Sequence, residues 1–395
     1  VDGGEEEKIV GRLREVIEVG LHQDRALLEE AVEAMTLLLR SGPRIRTLFY
    51  EQGGVDMLVA ALVEADVEVR GCAAEMLARA AWEDAGPNDE LAPEDSLAMH
   101  LETQRAREAA VALVGFVQEA PGRDARIRAR ASLIRGVGAL ARSPIVLHAL
   151  EQAGEFLHPL IQLLSSPHPE ILVAAARAID DVVGWWERGA MRVKAKLFGV
   201  VPCLLALLSS PSHSVQAAVA TLVGTLAVED GCRAVMVKQD GVGHLVRLLR
   251  TTCSFPVVAA CARALGRLVV SVASAKKLVH CGGVDLLVEA LQISPVGAPR
   301  LKTGDRLMAG ERPDTSMLRR IPQPDVVRAV AEALGALCDR RDTEGTSWFG
   351  DIRRHVEELD GVALLLKQVS SSPSVPATRA CILALQPFLS PRAPP

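Results

Sequence analysis

The stretch Cys281-Gly-Gly-Val-Asp-Leu-Leu-Val-Glu-Ala-Leu291 decides the fold, because copies of it return along the whole chain. The clear copies are Gln52–Leu62, Gln239–Leu249 and Leu359–Val369, and the weaker copies are Phe156–Leu164 and Val200–Leu208. Three successive copies end at Leu208, Leu249 and Leu291, which lie 41 and 42 residues apart. A fixed period of this length indicates one small unit stacked on itself, so the sequence predicts a solenoid rather than a single enclosed core.

Each block is followed by an alanine-rich segment in which apolar residues recur every three or four positions, the spacing of a helix. We call the apolar residue at the centre of this segment the central residue. It lies 15 or 16 positions after the block in five units, and 43 positions after it, at Leu334, where an insertion intervenes. The glycines directly after central residues, Gly138, Gly224, Gly266 and Gly335, are expected to permit close helix packing. A shorter helical pattern precedes each block, and the Gly before Val is expected to allow the sharp change of direction between the two. The unit is therefore predicted to contain one short and two long helices.

Composition narrows the class of protein. Of the 395 residues, 49% are hydrophobic but only 3% are aromatic, so alanine, leucine and valine must form the core. The net charge of −5 argues against bulk attraction to nucleic acid or anionic lipid. The eight cysteines show no Cys-x-x-Cys pairing and sit mostly in apolar helical patterns, which predicts reduced, buried thiols and a reducing compartment.

One short and two long helices in about 42 residues, with a Gly-Gly-Val corner, resemble the armadillo repeat. The resemblance implies an all-α, right-handed α-α superhelix that covers nearly the whole chain. It divides the sequence into an incomplete N-terminal cap repeat (1–42), about seven repeats (43–390) and a tail expected to be disordered (391–395).

Three insertions are predicted to interrupt the array, at 83–95, 295–324 and 339–350. The first holds six acidic residues and no basic one, whereas the second holds six basic and three acidic residues together with five prolines. Each is open to two interpretations, a passive solvated loop or a docking segment.

Signatures of catalysis are missing from the sequence. It contains neither the Gly-x-x-x-x-Gly-Lys phosphate loop nor the Gly-x-Ser-x-Gly elbow, and no His-Glu-x-x-His motif. The neighbours His280 and Cys281 lack a second ligand pair at zinc spacing. The sequence therefore predicts that the protein is not an enzyme and holds no cofactor or metal.

The resemblance places candidate binding positions on the third helix of each unit, which in armadillo proteins lines a concave groove. Nuclear-import carriers of the family carry a Trp and Asn ladder there, but this chain has one asparagine, Asn88, inside an insertion. The equivalent positions, two before and two after the central residue, hold instead the candidate partner-binding residues Arg79, Arg135, Arg177, Asp181, Thr221, Thr225, Arg263 and Arg267.

These positions are mainly cationic, and a guanidinium group suits carboxylate or phosphate. Arg263 and Arg267 lie four apart on one helix, a like-charge pair that an anion would relieve. The set resembles the basic groove in which catenin-type armadillo proteins hold acidic tails. A solvated helix face is the alternative interpretation, and Arg177 and Asp181 could neutralise each other.

A second candidate surface is the adjacent pair Trp185 and Trp186, followed by Arg188 and further basic residues. Both rings cannot face the same buried side of a helix. One is therefore a candidate for an aromatic and cationic contact patch, unless the next short helix shields both.

The function expected from these observations is a protein-interaction adaptor or scaffold that binds an extended acidic or phosphorylated segment. The leading alternative is a regulatory domain that binds a phosphorylated small molecule for a separate catalytic module. A co-chaperone and a cytoskeletal or ciliary component carry less weight. No nucleic-acid partner is expected, no apolar run reaches the length of a membrane span, and the cytoplasm is the expected location, with the nucleus as the alternative. The chain opens on Val1 and an acidic stretch, so no secretory signal is expected, although a removed targeting segment stays open.

Overall fold

In the computed structural model, the described parts of the chain are helices joined by turns, and no strand occurs among them. The described residues are 3–22, 43–64, 125–141, 157–184, 199–292, 324–339, 348–371 and 374–389, with the single positions 31, 34, 35, 38, 70 and 73. The chain divides into two compact units, residues 1–196 and 197–395. The all-α class predicted from the helical periodicity is confirmed.

The first unit contains two helix pairs and two further helices among its described residues. These are α1 (Gly3–His22), α2 (Pro43–Glu51), α3 (Gly54–Glu64), α4 (Ala125–Leu140), α5 (Leu157–Gln162, continued by a 3₁₀ turn at Leu163–Ser165) and α6 (Pro169–Gly184). Helices α4 and α6 are third helices of successive repeats and pack side by side.

The second unit shows the repeat most completely. Its described helices are α7 (Val201–Leu207), α8 (His213–Leu226), α9 (Asp230–Lys238), α10 (Gly241–Thr251), α11 (Phe255–Leu268), α12 (Val272–His280), α13 (Gly283–Gln292), α14 (Pro324–Asp339), α15 (Trp348–Glu358), α16 (Gly361–Ser371) and α17 (Val375–Leu389). They form the short-long-long triplets α9–α11, α12–α14 and α15–α17, after the pair α7–α8. The third helices α8, α11, α14 and α17 pack in succession, each against the next.

The third helices meet through a repeated glycine-to-alanine contact. A methyl group on Gly138, Gly224, Gly266 or Gly335 would lie 2.7, 3.2, 3.0 or 3.1 Å from the Cα atom of an alanine on the next third helix. The alanines are, in the same order, Ala178, Ala264, Ala333 and Ala384. Each glycine directly follows the central residue of its helix and each alanine directly precedes one, so the register is the same at all four contacts. The close packing predicted for these glycines is confirmed.

The corner between the first and second helices differs from the sequence-based expectation. The left-handed backbone lies one residue earlier than predicted, at Gly53, Asp240, Gly282 and Asp360, with φ between 58° and 73°. The glycine before Val already belongs to the second helix. It is needed for space, because a methyl group on Gly283 would lie 2.4 Å from Leu278 Cδ1.

The predicted insertions fall mostly outside the described residues. The first, 83–95, lies there entirely, and the second is described only at Pro324, which begins α14. The third overlaps helices at both ends, because Asp339 ends α14 and Trp348 begins α15. The predicted cap, repeat count and tail stay predictions.

Candidate functional site

Most of the predicted partner-binding residues lie on the same side of the third helices, opposite the central residues. Every described central residue is buried, whereas the described residues two positions away, with the exception of Pro387, are partly or fully exposed. Arg177 and Arg267 are exposed, and the half-buried ones are Arg135, Asp181, Thr221, Thr225 and Arg263. Helical geometry puts positions −2 and +2 on the side opposite the buried residue between them. We call this surface the third-helix face.

Four predicted residues lie outside the described part of the chain. They are Arg79, of the partner-binding set, and Trp185, Trp186 and Arg188, of the contact patch. The predicted aromatic contact patch therefore lies outside the described residues and stays a prediction.

In the first unit, the face is formed by α4 and α6. The Gly138–Ala178 contact brings Asp181 close, since its Oδ2 atom would lie 3.0 Å from a methyl group on Gly138. Arg135, Arg177 and Asp181 all take part in polar or electrostatic interactions. This part of the third-helix face therefore carries positively and negatively charged side chains.

In the second unit, the face centres on Arg263 and Arg267 of α11. Four residues of helix separate their Cα levels by about 6 Å. Burial lowers the pKa of Arg263 from its ordinary value, Glu332 acts in the opposite direction, and Arg267 lowers the pKa further. The like-charge repulsion predicted from the four-residue spacing is therefore present, and a carboxylate on the next helix partly offsets it.

Helix α14 contributes charged groups that the sequence reasoning missed. Arg328 lowers the pKa of Arg263 and Asp325 raises it, so both carry charge close to this guanidinium. Arg328 Nε donates to Glu332 Oε1 at 2.7 Å, in an ion pair one helical turn long. Glu332 lies two before the central residue Leu334, a position that the sequence analysis used, whereas Arg328 and Asp325 lie outside those positions and were missed.

The register explains which charges meet across the helices. Because Gly266 packs against Ala333, the level of Arg263 on α11 falls between Arg328 and Glu332 on α14. Arg267 falls one turn later, between Glu332 and Ala336. Within the described residues Arg267 is exposed and forms no ion pair. The second unit therefore holds one compensated arginine and, beside it, one exposed arginine.

The threonines on α8 complete the arrangement. Gly224 packs against Ala264, which places Thr225, the next residue, beside α11 at the level between Arg263 and Arg267. Thr221 Oγ1 donates to the Ala217 carbonyl at 2.9 Å, so its proton serves its own helix. Thr221 can therefore accept a hydrogen bond from a partner but has no second proton to donate.

The described residues provide few groups for other chemistry. Among them no cluster of three His, Cys, Asp or Glu side chains could hold a metal ion. None of the helices described above combines the length and the apolar character needed to cross a membrane. Cys232, Cys261, Cys338 and Cys381 are buried free thiols, as predicted, whereas Cys253 is exposed.

Comparison with known proteins identifies the architecture. No protein-family model matches the sequence. No curated protein matches it significantly. Among solved structures, a designed armadillo repeat protein aligns with 71% of this chain and 99% of its own, at 18% identity and a TM-score of 0.50.

Two other solved structures align with the chain as well. One is an engineered protein, which covers 71% of this chain and 98% of its own at 17% identity and a TM-score of 0.52. The other belongs to a study of a phosphorylation switch that controls the interaction between cadherin and beta-catenin. It covers 98% of this chain and 62% of its own, at 16% identity and a TM-score of 0.48. Together with the repeated helix triplet and the left-handed corner, the likeness to the designed armadillo protein shows that this chain has the armadillo-repeat fold.

Proposed function

We propose that the protein is a non-enzymatic interaction scaffold whose third-helix face binds an extended acidic or phosphorylated segment of a partner protein. The observation that carries the proposal is that nearby carboxylates offset the positive charges of the two arginines on α11 to different degrees. Glu332 raises the pKa of the half-buried Arg263, whereas Arg267 is exposed and forms no ion pair with a described residue. A carboxylate or phosphate over α11 would contact both guanidinium groups and offset their mutual repulsion.

The stacked architecture favours an extended ligand. Within each compact unit, the described third helices lie side by side in the same register, so equivalent positions return at each helix. Neighbouring helix axes are typically about 8–10 Å apart, and an extended chain covers that distance in about three residues. A partner segment crossing the helices would therefore meet a new pair of positions every three residues and gain affinity from several contacts.

The proposal is tested by reversing the charge of the α11 pair. Fluorescence anisotropy would follow a labelled peptide of alternating glutamate and glycine, and the same peptide carrying phosphoserine, at low and at physiological ionic strength. The double variant Arg263→Glu, Arg267→Glu is expected to weaken binding at least tenfold and to reduce its dependence on salt.

A matched control has the same change of net charge away from the face. Lys238 and Arg247 are exposed on α9 and α10, so the variant Lys238→Glu, Arg247→Glu changes the total charge equally. Equal losses in both variants would show bulk attraction and contradict the proposal, as would an unchanged affinity of the α11 variant. Tighter binding of inorganic phosphate or a sugar phosphate than of either peptide would instead support a small-molecule sensor.

A further inference from the structure

Helix α14 carries exposed carboxylates on the same side as the arginines of α11. Asp325, Glu332 and Asp339 are all exposed, and they are spaced seven residues apart from the first turn of α14 to its last residue. Residues at seven-residue spacing keep to one side of a helix. Glu332 lies two residues before the central residue of α14, the position that Arg263 occupies on α11. The three carboxylates therefore belong to the third-helix face.

The charge of the third-helix face changes from one helix to the next. On α8 the face carries uncharged hydroxyl groups, those of Thr221 and Thr225 among them. On α11 it carries Arg263 and Arg267, which together give a charge of +2. On α14 the three carboxylates and Arg328 together give a charge of −2. The face is therefore neutral, positive and negative over three successive third helices.

The opposite charges of α11 and α14 act on each other without forming ion pairs. Burial lowers the pKa of Arg263, whereas Glu332 and Asp325 raise it. No carboxylate oxygen of α14 lies within 4.0 Å of a guanidinium nitrogen of α11, and the structure describes both helices from end to end. Glu332 is paired instead with Arg328 of its own helix. The helix packing therefore holds opposite charges side by side and leaves them open to a ligand.

The contact between Gly266 and Ala333 sets the level of these charges. It places Glu332 at the level midway between Arg263 and Arg267. Neighbouring helix axes are typically about 8–10 Å apart, a distance that an extended chain covers in about three residues. An extended segment that crosses both helices at this level therefore passes from two guanidinium groups to a carboxylate within about three residues.

A uniformly acidic segment does not match this order of charges. Its carboxylates would be attracted over α11 but repelled over α14, where three carboxylates outnumber Arg328. Like charges placed opposite each other disfavour a partner, and complementary charges select one. The better match over α14 is a basic side chain, which can pair with Glu332 and with the exposed carboxylates on either side of it.

We infer that the partner segment carries charges of both signs, with an acidic residue over α11 and a basic residue about three positions away over α14. This inference rests on the proposed function, because it names the sequence pattern that the same face selects. The order of charges also sets the direction of the segment, whose acidic end lies towards α8 and whose basic end lies towards α17.

Fluorescence anisotropy with three labelled peptides at low ionic strength tests the inference. All three peptides share a glycine–serine frame and the motif Glu-Gly-Glu, which is followed by Lys-Gly-Lys, Ser-Gly-Ser or a second Glu-Gly-Glu. Wild-type protein is expected to bind the Glu/Lys peptide at least tenfold more tightly than the all-Glu peptide, with the Glu/Ser peptide between them. Added salt should reduce these differences, because the charges on both sides are exposed.

Charge reversal at Glu332 shows whether α14 is the source of the preference. Glu332→Lys is expected to lose the preference for the Glu/Lys peptide, and Glu332→Gln, which only removes the charge, should reduce it. The matched control is Glu15→Lys, which makes the same change of net charge at an exposed position on α1 and should keep the wild-type preference. Circular dichroism of each variant shows whether the helices are intact.

The inference is overturned if wild-type protein binds the Glu/Lys and all-Glu peptides equally, or if Glu332→Lys keeps the wild-type preference. It is also overturned if Glu15→Lys loses as much of the preference, since that result shows bulk attraction of lysine to an acidic protein. The variant Arg263→Glu, Arg267→Glu separates this inference from the proposed function. Equal binding of all peptides that is lost in this variant refutes the charge order alone, whereas binding that survives in this variant refutes the proposed function as well.

Discussion

Gly266 of α11 lies against Ala333 of α14 so closely that a methyl group on the glycine would stand 3.0 Å from the alanine Cα. The same contact joins Gly138 to Ala178, Gly224 to Ala264 and Gly335 to Ala384. Within each unit, it fixes the level at which these pairs of third helices meet. The relative positions of side chains on the third-helix face are therefore set by glycines and alanines that do not belong to that face.

Replacing one of these glycines with alanine is expected to destabilise the protein. Gly138→Ala would bring a methyl group to 2.7 Å from the Ala178 backbone, which must move aside. Overpacking of this kind costs about 1–3 kcal/mol, more than the roughly 1 kcal/mol by which alanine favours a helix. The measurement is the urea midpoint of unfolding.

The control for this prediction is Gly350→Ala. Gly350 is exposed in α15, and no atom lies within 4 Å of where its methyl group would be. This substitution should raise the midpoint slightly, because only the helix preference changes. If both alanines shift the midpoint in the same direction, the close contact of α4 with α6 is not what makes Gly138 necessary.

The sequence predicted the packing glycines and the repeat, but it did not predict the charge balance of the third-helix face. Gly266 and its counterparts directly follow the central apolar residue of their helices, so the helical pattern was enough to find them. Arg263 is half-buried, and its neighbours Arg328 and Glu332 come from α14, 65 and 69 residues later in the sequence. Which turn of α14 lies beside Arg263 depends on how α11 and α14 are aligned at the Gly266–Ala333 contact. The sequence alone does not give that alignment.

The corner shows a second limit of the sequence pattern. Gly-Gly in two blocks and Asp-Gly in two others suggested that the shared glycine makes the turn. The structure assigns the left-handed conformation to the variable residue before it, including Asp240 and Asp360. Aspartate tolerates this conformation better than most residues do. The glycine that follows it is therefore required by the close packing at the start of the second helix, and not by its backbone conformation.

Substitutions at Asp360 test this assignment, because its φ is 58°. Asp360→Gly should leave stability unchanged or raise it slightly, since glycine adopts positive φ without strain. Asp360→Val should lower stability by roughly 1–2 kcal/mol, because a β-branched residue is strained there. Chemical denaturation of both variants provides the measurement, and a Val variant as stable as the Gly variant would contradict it.

Gln368 is predicted to stabilise the stacking of α13 and α16. Its Nε2 atom donates to the Leu291 carbonyl at 2.9 Å, and the side chain is buried. Gln368→Leu keeps the volume but leaves that carbonyl without its donor, which costs about 1–3 kcal/mol. Ser370→Ala on the same helix removes only an exposed hydroxyl that bonds within its own turn, and it should change the midpoint by less than about 0.5 kcal/mol.

The cysteines should differ sharply in reactivity. Burial raises the pKa of Cys261 to about 12, and burial raises the pKa of Cys338 to about 12 as well, so neither forms thiolate near neutral pH. Cys253 is exposed at the turn before α11. In a time course with iodoacetamide, followed by peptide mapping, Cys253 should be alkylated first. Cys261 and Cys338 should react only in denaturant, and early alkylation of either in native protein would contradict their burial.

The same thiols predict how stability changes at alkaline pH. The folded pKa of Cys261 and Cys338 lies above the ordinary value of 9.0, so above that pH the folded state holds protons that the unfolded state has released. The free energy of unfolding must then fall as pH rises from about 9 towards 12. The double variant Cys261→Ala, Cys338→Ala should reduce this slope relative to the wild type. An equal slope in both proteins would mean that these buried thiols do not control the alkaline loss of stability.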